Sequence, residues 1–505
     1  MTTLPSDLPV VVDRGSVTPL AVQISAQLQA AVAGGALRAG DRLPSSRDLA
    51  LTLGVSRTVV TNAYARLFAE GWLEGRHGSG TYIADVSPPA PGEPVRWQEQ
   101  EQERGRGSGS APPTVDTDPE RKRVPPRRPV PLADPPAATS LIDLQPGIAW
   151  VDGIDPAAWR RAWRQAGAHL PSRLPDPHGL PELREEIAAY LRRARGLVVS
   201  PAQVLVTQGV SSGFSLLTDA LLAPGDAAGV EEPGFPTARE VLQRAGARVV
   251  PCRVDAHGIV PEELPGGLKL LYTSPAHQYP LGGRLPVNRR LALVAWARAT
   301  GALVVEDDYD SEFRYDVGPL PALHSMAPDA IVYLGTASKV LATAFGAGWL
   351  VAPPGLVERL AALRPRLGNR IPEPVQHAVL ALLRSGDLER HVRRMRLEYA
   401  RRRAALVEGL TGRGTSGPGP GGERVPFRLL GDTAGMHVVL ELPDGYPAGR
   451  LVEAAARRGV RVYPLDRYYA GPPTMSGLIL GYGTATLSQV SRAAAELAPL
   501  LSRQS

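Results

Sequence analysis

From Pro19 onward the apolar residues Leu20, Ile24, Leu28 and Val32 recur at every fourth position, which predicts a helix over Pro19–Ala33 with one buried face. Ser45 or Ser46 can cap a short helix Arg47–Leu53 that Gly54 ends. Ser56 then caps a third helix with Val59, Val60, Ala63, Tyr64 and Leu67 inward. Two helices across a short Gly-containing turn make a helix-turn-helix unit. After Gly71, the strand-like runs Trp72–Glu74 and Thr81–Ile83 flank the Gly-rich tip Gly75–Gly80, predicting a hairpin wing. The pattern then stops. Residues 86–139 are Pro, Gly, Ser and charge with almost no aliphatic side chains, too little apolar surface to offset ordering, and predict a linker that is partly polyproline-like. From Leu141 the pattern returns in another form. Apolar runs Gln203–Thr207, Leu268–Tyr272, Ala302–Glu306 and Ile331–Gly335 alternate with helical patterns such as Leu180–Ala194 and Arg289–Thr300, which predicts an α/β domain around a mainly parallel sheet. The expected division is 14–85, 86–139 and 140–505.

Composition narrows this picture at a few points. A chain of 505 residues, 43% hydrophobic, exceeds one ordinary domain and suits two or three. The 56 basic and 50 acidic side chains leave a net charge of +6, which permits a polyanionic partner without requiring one. The single cysteine, Cys252, excludes a disulfide framework and a Cys-rich metal site. No basic segment followed by an apolar run opens the chain and no apolar run reaches membrane-spanning length, so a soluble cytoplasmic protein is expected.

The third helix opens with Ser56-Arg57-Thr58, short polar and cationic groups of the kind that meet base edges and phosphates. Arg47, Arg76 and His77 are further candidates for phosphate or groove contact. The string LRAGDRLPSSRDLALTLGVSRTVVTNAYARLFAEGWLEGRHGSGTYIA (37–84) resembles the GntR-type winged helix over nearly its whole length. That resemblance implies a double-stranded DNA operator as partner and places Arg47, Ser56, Arg57, Thr58, Thr61, His77 and Gly78 at the DNA.

In the C-terminal region, lysine usage is informative, because all but three of the 56 basic side chains are arginine. Schiff-base chemistry needs a lysine held in one geometry. Lys122 lies in the linker, Lys269 lies in a strand-like run without Gly or hydroxyl neighbours, and Lys339 follows a buried strand in LGTASKVL among small hydroxyl residues that can hold a phosphate. A snorkelling lysine at a strand end is the plainer alternative. Val304–Asp310 puts an acidic cluster at the end of an apolar strand, the end that faces the ligand crevice of an open α/β sheet. A carboxylate there suits the protonated pyridine nitrogen of an electron-sink cofactor, or else forms a solvated acidic loop. No His or Cys at ligand spacing accompanies it, so no metal is expected. Gln208–Gly213 opens a helix whose first amides can receive a phosphate.

Together LPELREEIAAYLRRARG (180–196), VTQGVSSG (206–213), EEPGFPTAR (231–239), SPAHQYPLGG (274–283), VEDDYDSEFRY (305–315), LGTASKVL (334–341), HVRRMRLEYARRR (391–403) and AGMHVVLEL (434–442) resemble the fold-type I aminotransferase domain of MocR/GabR-type regulators, over roughly residues 141–500. The resemblance implies a multi-domain protein: an N-terminal winged helix-turn-helix and a C-terminal α/β aminotransferase-like domain that binds pyridoxal 5'-phosphate and dimerises. It implies that Lys339 forms the Schiff base, Asp307 meets the pyridine nitrogen and Tyr309 contacts the ring hydroxyl. By the same resemblance Phe235 stacks on the ring, and Gly209, Val210, Thr336 and Ser338 surround the phosphate. Two positions depart from the family: Gly346 stands where an arginine pairs with the phosphate, and Leu174 where a partner-supplied tyrosine is usual; in addition, Ile479-Leu480-Gly481 stands where true aminotransferases carry an arginine for a substrate carboxylate. The expected function is a pyridoxal-phosphate-dependent transcriptional regulator that senses an amine, an amino acid or the cofactor itself. The alternatives are an authentic aminotransferase with a DNA-binding appendage, or a regulator whose degenerate domain binds no cofactor.

Overall fold

The computed structural model describes residues 8, 10–16, 18–76, 80–84, 141–315, 321–369, 371–412, 425–431 and 434–503. The expected linker, Lys122, and the expected DNA contacts His77 and Gly78 lie outside the described residues.

At the N-terminus the helices Leu20–Ala33, Ser46–Leu53 and Arg57–Glu70 enclose Ile24, Leu28, Leu49, Val60, Ala63 and Leu67, all buried, so the four-residue spacing becomes one shared core. Ser45 caps the second helix by accepting from the Asp48 amide at 3.2 Å, and Gly54 ends it at φ 61, a left-handed turn that costs glycine little. Ser56 occupies the N-cap of the third helix in extended backbone, but its hydroxyl makes no cap hydrogen bond and faces solvent. The strands Leu73–Arg76 and Gly80–Ile83 pair antiparallel as the expected wing, and Arg42–Leu43 adds to the outer side of Gly80–Ile83.

The C-terminal region is built on an eight-stranded sheet in the order Val204–Thr207, Gly348–Val351, Ile331–Thr336, Leu303–Asp308, Leu270–Thr273, Ala227–Glu232, Arg248–Asp255 and Gly258–Ile259. Its centre is parallel, while Gly348–Val351 runs against both neighbours. Helices cover both faces, so central strands such as Ile331–Thr336 are buried at every residue and read as continuous apolar runs rather than alternations. A second sheet of five strands, including Val425–Leu430, His437–Glu441 and Gly477–Gly481, packs against the 25-residue helix Asp387–Thr411 and the helix Leu487–Leu497. The element ends shift by one to three residues from the pattern: Lys269 lies exposed just before its strand, which begins at Leu270.

The winged helix is not packed on itself alone. Val287, in the first turn of the helix Val287–Thr300, is buried within the winged-helix cluster, with Leu291 packed at its edge. A Cβ placed on Gly71 would sit 3.6 Å from the Val287 side chain, and one on Gly196 would sit 3.4 Å from Val22. Among the described residues, no helix is long and apolar enough to cross a membrane.

Candidate functional site

The carboxyl ends of the central parallel strands bring the acidic cluster and Lys339 into one crevice, as the topology of an open α/β sheet demands. Leu303–Asp308 ends with Asp307 and Asp308 beside Leu334 and Gly335, and the next turn carries Lys339. The Lys339 ammonium donates to the Gly147 carbonyl at 2.5 Å, which ties the lysine to a loop 192 residues earlier in the chain. Burial, opposed by Asp307 and Asp310, pushes its pKa below the usual lysine value. A larger share of the amine is therefore neutral, and a neutral amine is the nucleophile.

Asp307 is buried to 6% exposure. One carboxylate oxygen accepts from the Tyr272 hydroxyl, while the other, Oδ1, is buried with no partner. Desolvation lifts this carboxyl to about 7, against the lowering effect of the Tyr272 hydrogen bond. A buried acceptor without a donor is costly and rare, and it marks where a ligand N–H can enter. Tyr309 follows in the turn just past that strand, its hydroxyl 2.9 Å from His277 Nδ1, and His277 in turn meets Asp310 at 2.9 Å. Phe235, at the start of the helix Pro236–Arg244, stacks near-parallel on Tyr272 at 6.5 Å.

A cradle closes the far end. Gly209 has φ 113 and precedes the helix Val210–Leu221. A Cβ there would lie 3.6 Å from Ser338 Oγ and 3.7 Å from Thr336 Oγ1, so the glycine opens a gap between a helix N-terminus and two hydroxyls. The Thr336 hydroxyl accepts from the Ser338 amide at 3.0 Å and fixes the turn. At the first turn of the same helix, the Ser212 hydroxyl donates to Asn369 Oδ1 at 3.3 Å. The unpaired first amides of a helix and its dipole suit an anion here. The structure thus brings Lys339, Asp307, Tyr309, Gly209, Val210, Thr336 and Ser338 into one crevice, with Phe235 beside Tyr272. The residue types fit a pyridine ring that carries a carbonyl, a hydroxyl and a phosphate.

Behind the crevice lies a second set of charges. Asp308 forms an ion pair with Arg195 at 2.6 Å with both side chains at most 1% exposed, and accepts from the Tyr333 hydroxyl at 2.6 Å. Tyr190 donates to Glu312 at 2.9 Å, and Glu306 accepts from the amides of Leu323 and His324. Only Asp307 of the acidic run keeps an unpaired carboxylate oxygen among the described residues.

On the winged helix, Arg47, Ser56, Arg57, Thr58 and Thr61 are all exposed and lie on the second and third helices. Arg57 Nε donates to the Ser46 hydroxyl at 3.3 Å, which joins the starts of the two helices.

Comparison with known proteins settles the family. Residues 20–83 match the bacterial regulatory proteins of the gntR family, and residues 146–463 match aminotransferase class I and II. The HTH-type pyridoxine biosynthesis transcriptional regulator of Corynebacterium glutamicum is 37% identical over 95% of both chains. The probable rhizopine catabolism regulatory protein MocR of Rhizobium meliloti is 31% identical over 94% of this chain and 92% of its own. The chain belongs to the MocR-type regulators. Like them it is an HTH-type transcriptional regulator with an aminotransferase-like domain. Among solved structures, an archaeal alanine:glyoxylate aminotransferase is similar with a TM-score of 0.65 at 25% identity, over 72% of this chain and 90% of its own. A variant of Thermus thermophilus aspartate aminotransferase reaches 0.63 at 25% identity, over 72% and 92%. The aminotransferase class I and II family depends on pyridoxal phosphate, and GntR-type helix-turn-helix regulators bind DNA.

The departures from the MocR-type pattern and from true aminotransferases acquire shapes. Gly346 adopts φ 57, and a Cβ there meets nothing within 4 Å, so the missing arginine leaves open space. Leu174 is 87% exposed. Ile479 and Leu480 are fully buried in two apolar clusters, and a Cβ on Gly481 would lie 2.2 Å from the Gln145 carbonyl. No arginine fits there without displacing the strand Gly477–Gly481. The motif strings did not single out Tyr272, Gly147, His277 or Asp310 as site residues. A fully apolar strand interrupted by tyrosine, LLYTS, was the one available signal for Tyr272.

Proposed function

We propose that this MocR-type regulator binds pyridoxal 5'-phosphate at Lys339 and uses its occupancy to set its affinity for a double-stranded DNA operator. The observation that carries the reading is the unpaired Asp307 Oδ1, buried in the same crevice as a lysine whose pKa is lowered by burial. The cofactor, when bound, supplies an electrophilic carbonyl carbon and an electron-withdrawing ring. Lys339 offers the amine. Asp307 accepts the ring N–H, Tyr309 turns its hydroxyl to the ring oxygen, and Phe235 covers the ring. Gly209, Val210, Thr336 and Ser338 hold the phosphate through amides and hydroxyls. Residues 14–85 contact DNA through Arg47, Ser56, Arg57, Thr58, Thr61, His77 and Gly78. Residues 86–139 tether them to residues 140–505, which dimerise.

Among possible signals, the cofactor itself is favoured over an amino acid. The apolar, close-packed stretch Ile479–Gly481 leaves no grip on a substrate carboxylate, and a relative similar along nearly the whole chain is named a regulator of pyridoxine biosynthesis. The ligand can shift DNA occupancy only by its difference in affinity for two arrangements of the protein.

The test begins with pyridoxal 5'-phosphate added to the full chain, followed by borohydride reduction and peptide mapping. A pyridoxyl adduct on Lys339, absent from Lys122 and Lys269, is expected, and Lys339→Ala should lose both the adduct and the visible absorbance. Binding to genomic fragments selected by the protein is then compared with and without cofactor. Reduction without any adduct would end the cofactor reading and leave a DNA-binding dimer.

A further inference from the structure

We infer that His277, held by Asp310, is a positioning residue that turns the Tyr309 hydroxyl outward to its ligand, an inference that rests on the cofactor reading above. The geometry is a three-group contact. His277 Nδ1 lies 2.9 Å from Asp310 Oδ2, 3.2 Å from Asp310 Oδ1 and 2.9 Å from the Tyr309 oxygen. The other ring nitrogen, Nε2, is buried and has no partner. His277 and Asp310 are 3% and 1% exposed, so solvent cannot supply what is missing.

Only one proton arrangement satisfies these contacts. Were Nδ1 bare, its lone pair would face the carboxylate lone pairs of Asp310, and Nε2 would carry a buried N–H with no acceptor. With the proton on Nδ1, the ring donates to Asp310, and Nε2 is left as a bare acceptor, the cheaper group to orphan. Nδ1–H then cannot accept from Tyr309. The tyrosine hydroxyl keeps its own proton free, and its oxygen is anchored beside the imidazole. A hydroxyl that would otherwise spend its proton on a histidine is thereby left as a donor toward the crevice.

The surroundings hold the pair in this one pose. Gly435, at φ 79, backs it so closely that a Cβ would lie 2.3 Å from His277 Cε1 and 2.6 Å from Asp310 Oδ2. Gly282, at φ 76, does the same on the Nε2 side, 3.2 Å away. The His437 ring stands 5.4 Å from the His277 ring and donates from Nε2 to the Pro280 carbonyl at 2.8 Å. Burial holds His437 down to about 4, so it faces the pair as a neutral ring. The other titratable groups facing the pair are Tyr279, packed edge-on to Tyr309, Glu231, which accepts from Ser274 and Gln278 of the His277 loop, Tyr315 and Tyr482, which both donate to the Gly435 carbonyl, and Asp307 and Lys339 across the crevice. The assembly draws on the loop 274–283, the strand His437–Glu441 and the turn after Asp308, three segments that nothing in the local sequence joins.

Two measurements test this. Histidine-selective ¹⁵N NMR of the full chain without cofactor, assigned with His277→Asn, should show His277 as the neutral Nδ1–H tautomer. An Nε2–H tautomer would overturn the inference outright. With pyridoxal 5'-phosphate bound, the midpoint of the visible band in a pH titration should rise by about one unit in His277→Asn, a tenfold change, because a hydrogen bond to the deprotonated chromophore is lost. Tyr309→Phe should give the same rise, and the double variant should be no worse than Tyr309→Phe alone. Asp310→Asn should reproduce the effect where His277→Asn folds poorly. Additive shifts would show that His277 acts independently of Tyr309 and would overturn the proposal. A wild-type chain with no visible band fails the cofactor reading instead, and the tautomer result stands apart from it.

Discussion

The winged helix and the crevice handle charge in opposite ways. On the winged helix, Arg47 and Arg57 are exposed on the surface of a small apolar core, and Arg57 meets the Ser46 hydroxyl. In and behind the crevice, Glu306, Asp307, Asp308 and Asp310 are all at most 6% exposed and are held by tyrosines, His277, Arg195 and backbone amides. An exposed arginine costs the fold almost nothing, and it acts by displacing counterions from a polyanion, a screened and additive effect. A buried carboxylate costs the fold a great deal unless paired, so it acts by where its partner is missing. The first region reads its ligand with charge it can spare. The second is poised, and removing any one group reaches the whole network.

The largest expected effect breaks that network. Arg195→Met should destabilise the protein by about 3–5 kcal/mol, because Asp308 is left as an uncompensated buried charge. Arg195→Met with Asp308→Leu should recover most of the loss in denaturant unfolding. If the single variant loses under 1 kcal/mol, the buried network is not coupled in the way the contrast requires.

Next comes pH. Desolvation lifts Asp307 to about 7, so between about pH 4 and 7 the native state keeps a proton that the unfolded chain has lost. The native state then binds more protons, and stability falls as pH rises through that window before levelling off above it. Asp307→Asn removes this contribution, so the variant should gain on the wild type by about 1–3 kcal/mol from pH 4 to pH 7, measured by thermal unfolding without cofactor. Parallel stability curves would place the carboxyl in a wetter site.

The exposed side of the comparison gives a smaller and differently shaped response. Arg57→Ala should cost about 1–3 kcal/mol of operator binding if Arg57 reads a base, with little change on random DNA. Equal losses on both, with a shallower salt dependence, would make it a phosphate contact. Stability should barely move. The last effect is at Gly346. An arginine there adopts a left-handed backbone that costs about 1–2 kcal/mol of stability with or without cofactor. Its charge-assisted bond to the phosphate should tighten cofactor binding by about 1.5 kcal/mol by titration, roughly tenfold.

The same contrast explains what the amino-acid pattern could reveal. The helices of the winged helix were legible almost residue by residue, because they are short and their caps are local. The strand ends and Lys339 were legible too, since an apolar run and a scarce residue type mark them. The supports were not. Arg195 meets Asp308, His277 meets Asp310 over 33 residues, and Lys339 meets Gly147 over 192, and these pairings exist only once the sheet has assembled. The Ser56 hydroxyl differed for a related reason: its position is that of a cap, but its side chain is left to solvent.

Val287 belongs by sequence to the helix that follows the crevice loop, yet it is buried at 3% exposure among the side chains of the winged helix. Burying a valine is worth about 1.5–3 kcal/mol. Cutting the chain between its modules would therefore strip a shared seam, leaving Val287 and Leu291 bare on one fragment and the winged-helix surface around Gly71 bare on the other. Each fragment would carry a sticky scar that the intact protein lacks. Aggregation of an isolated fragment would report that scar, and the functions of the two modules are better separated by point substitutions within the whole chain.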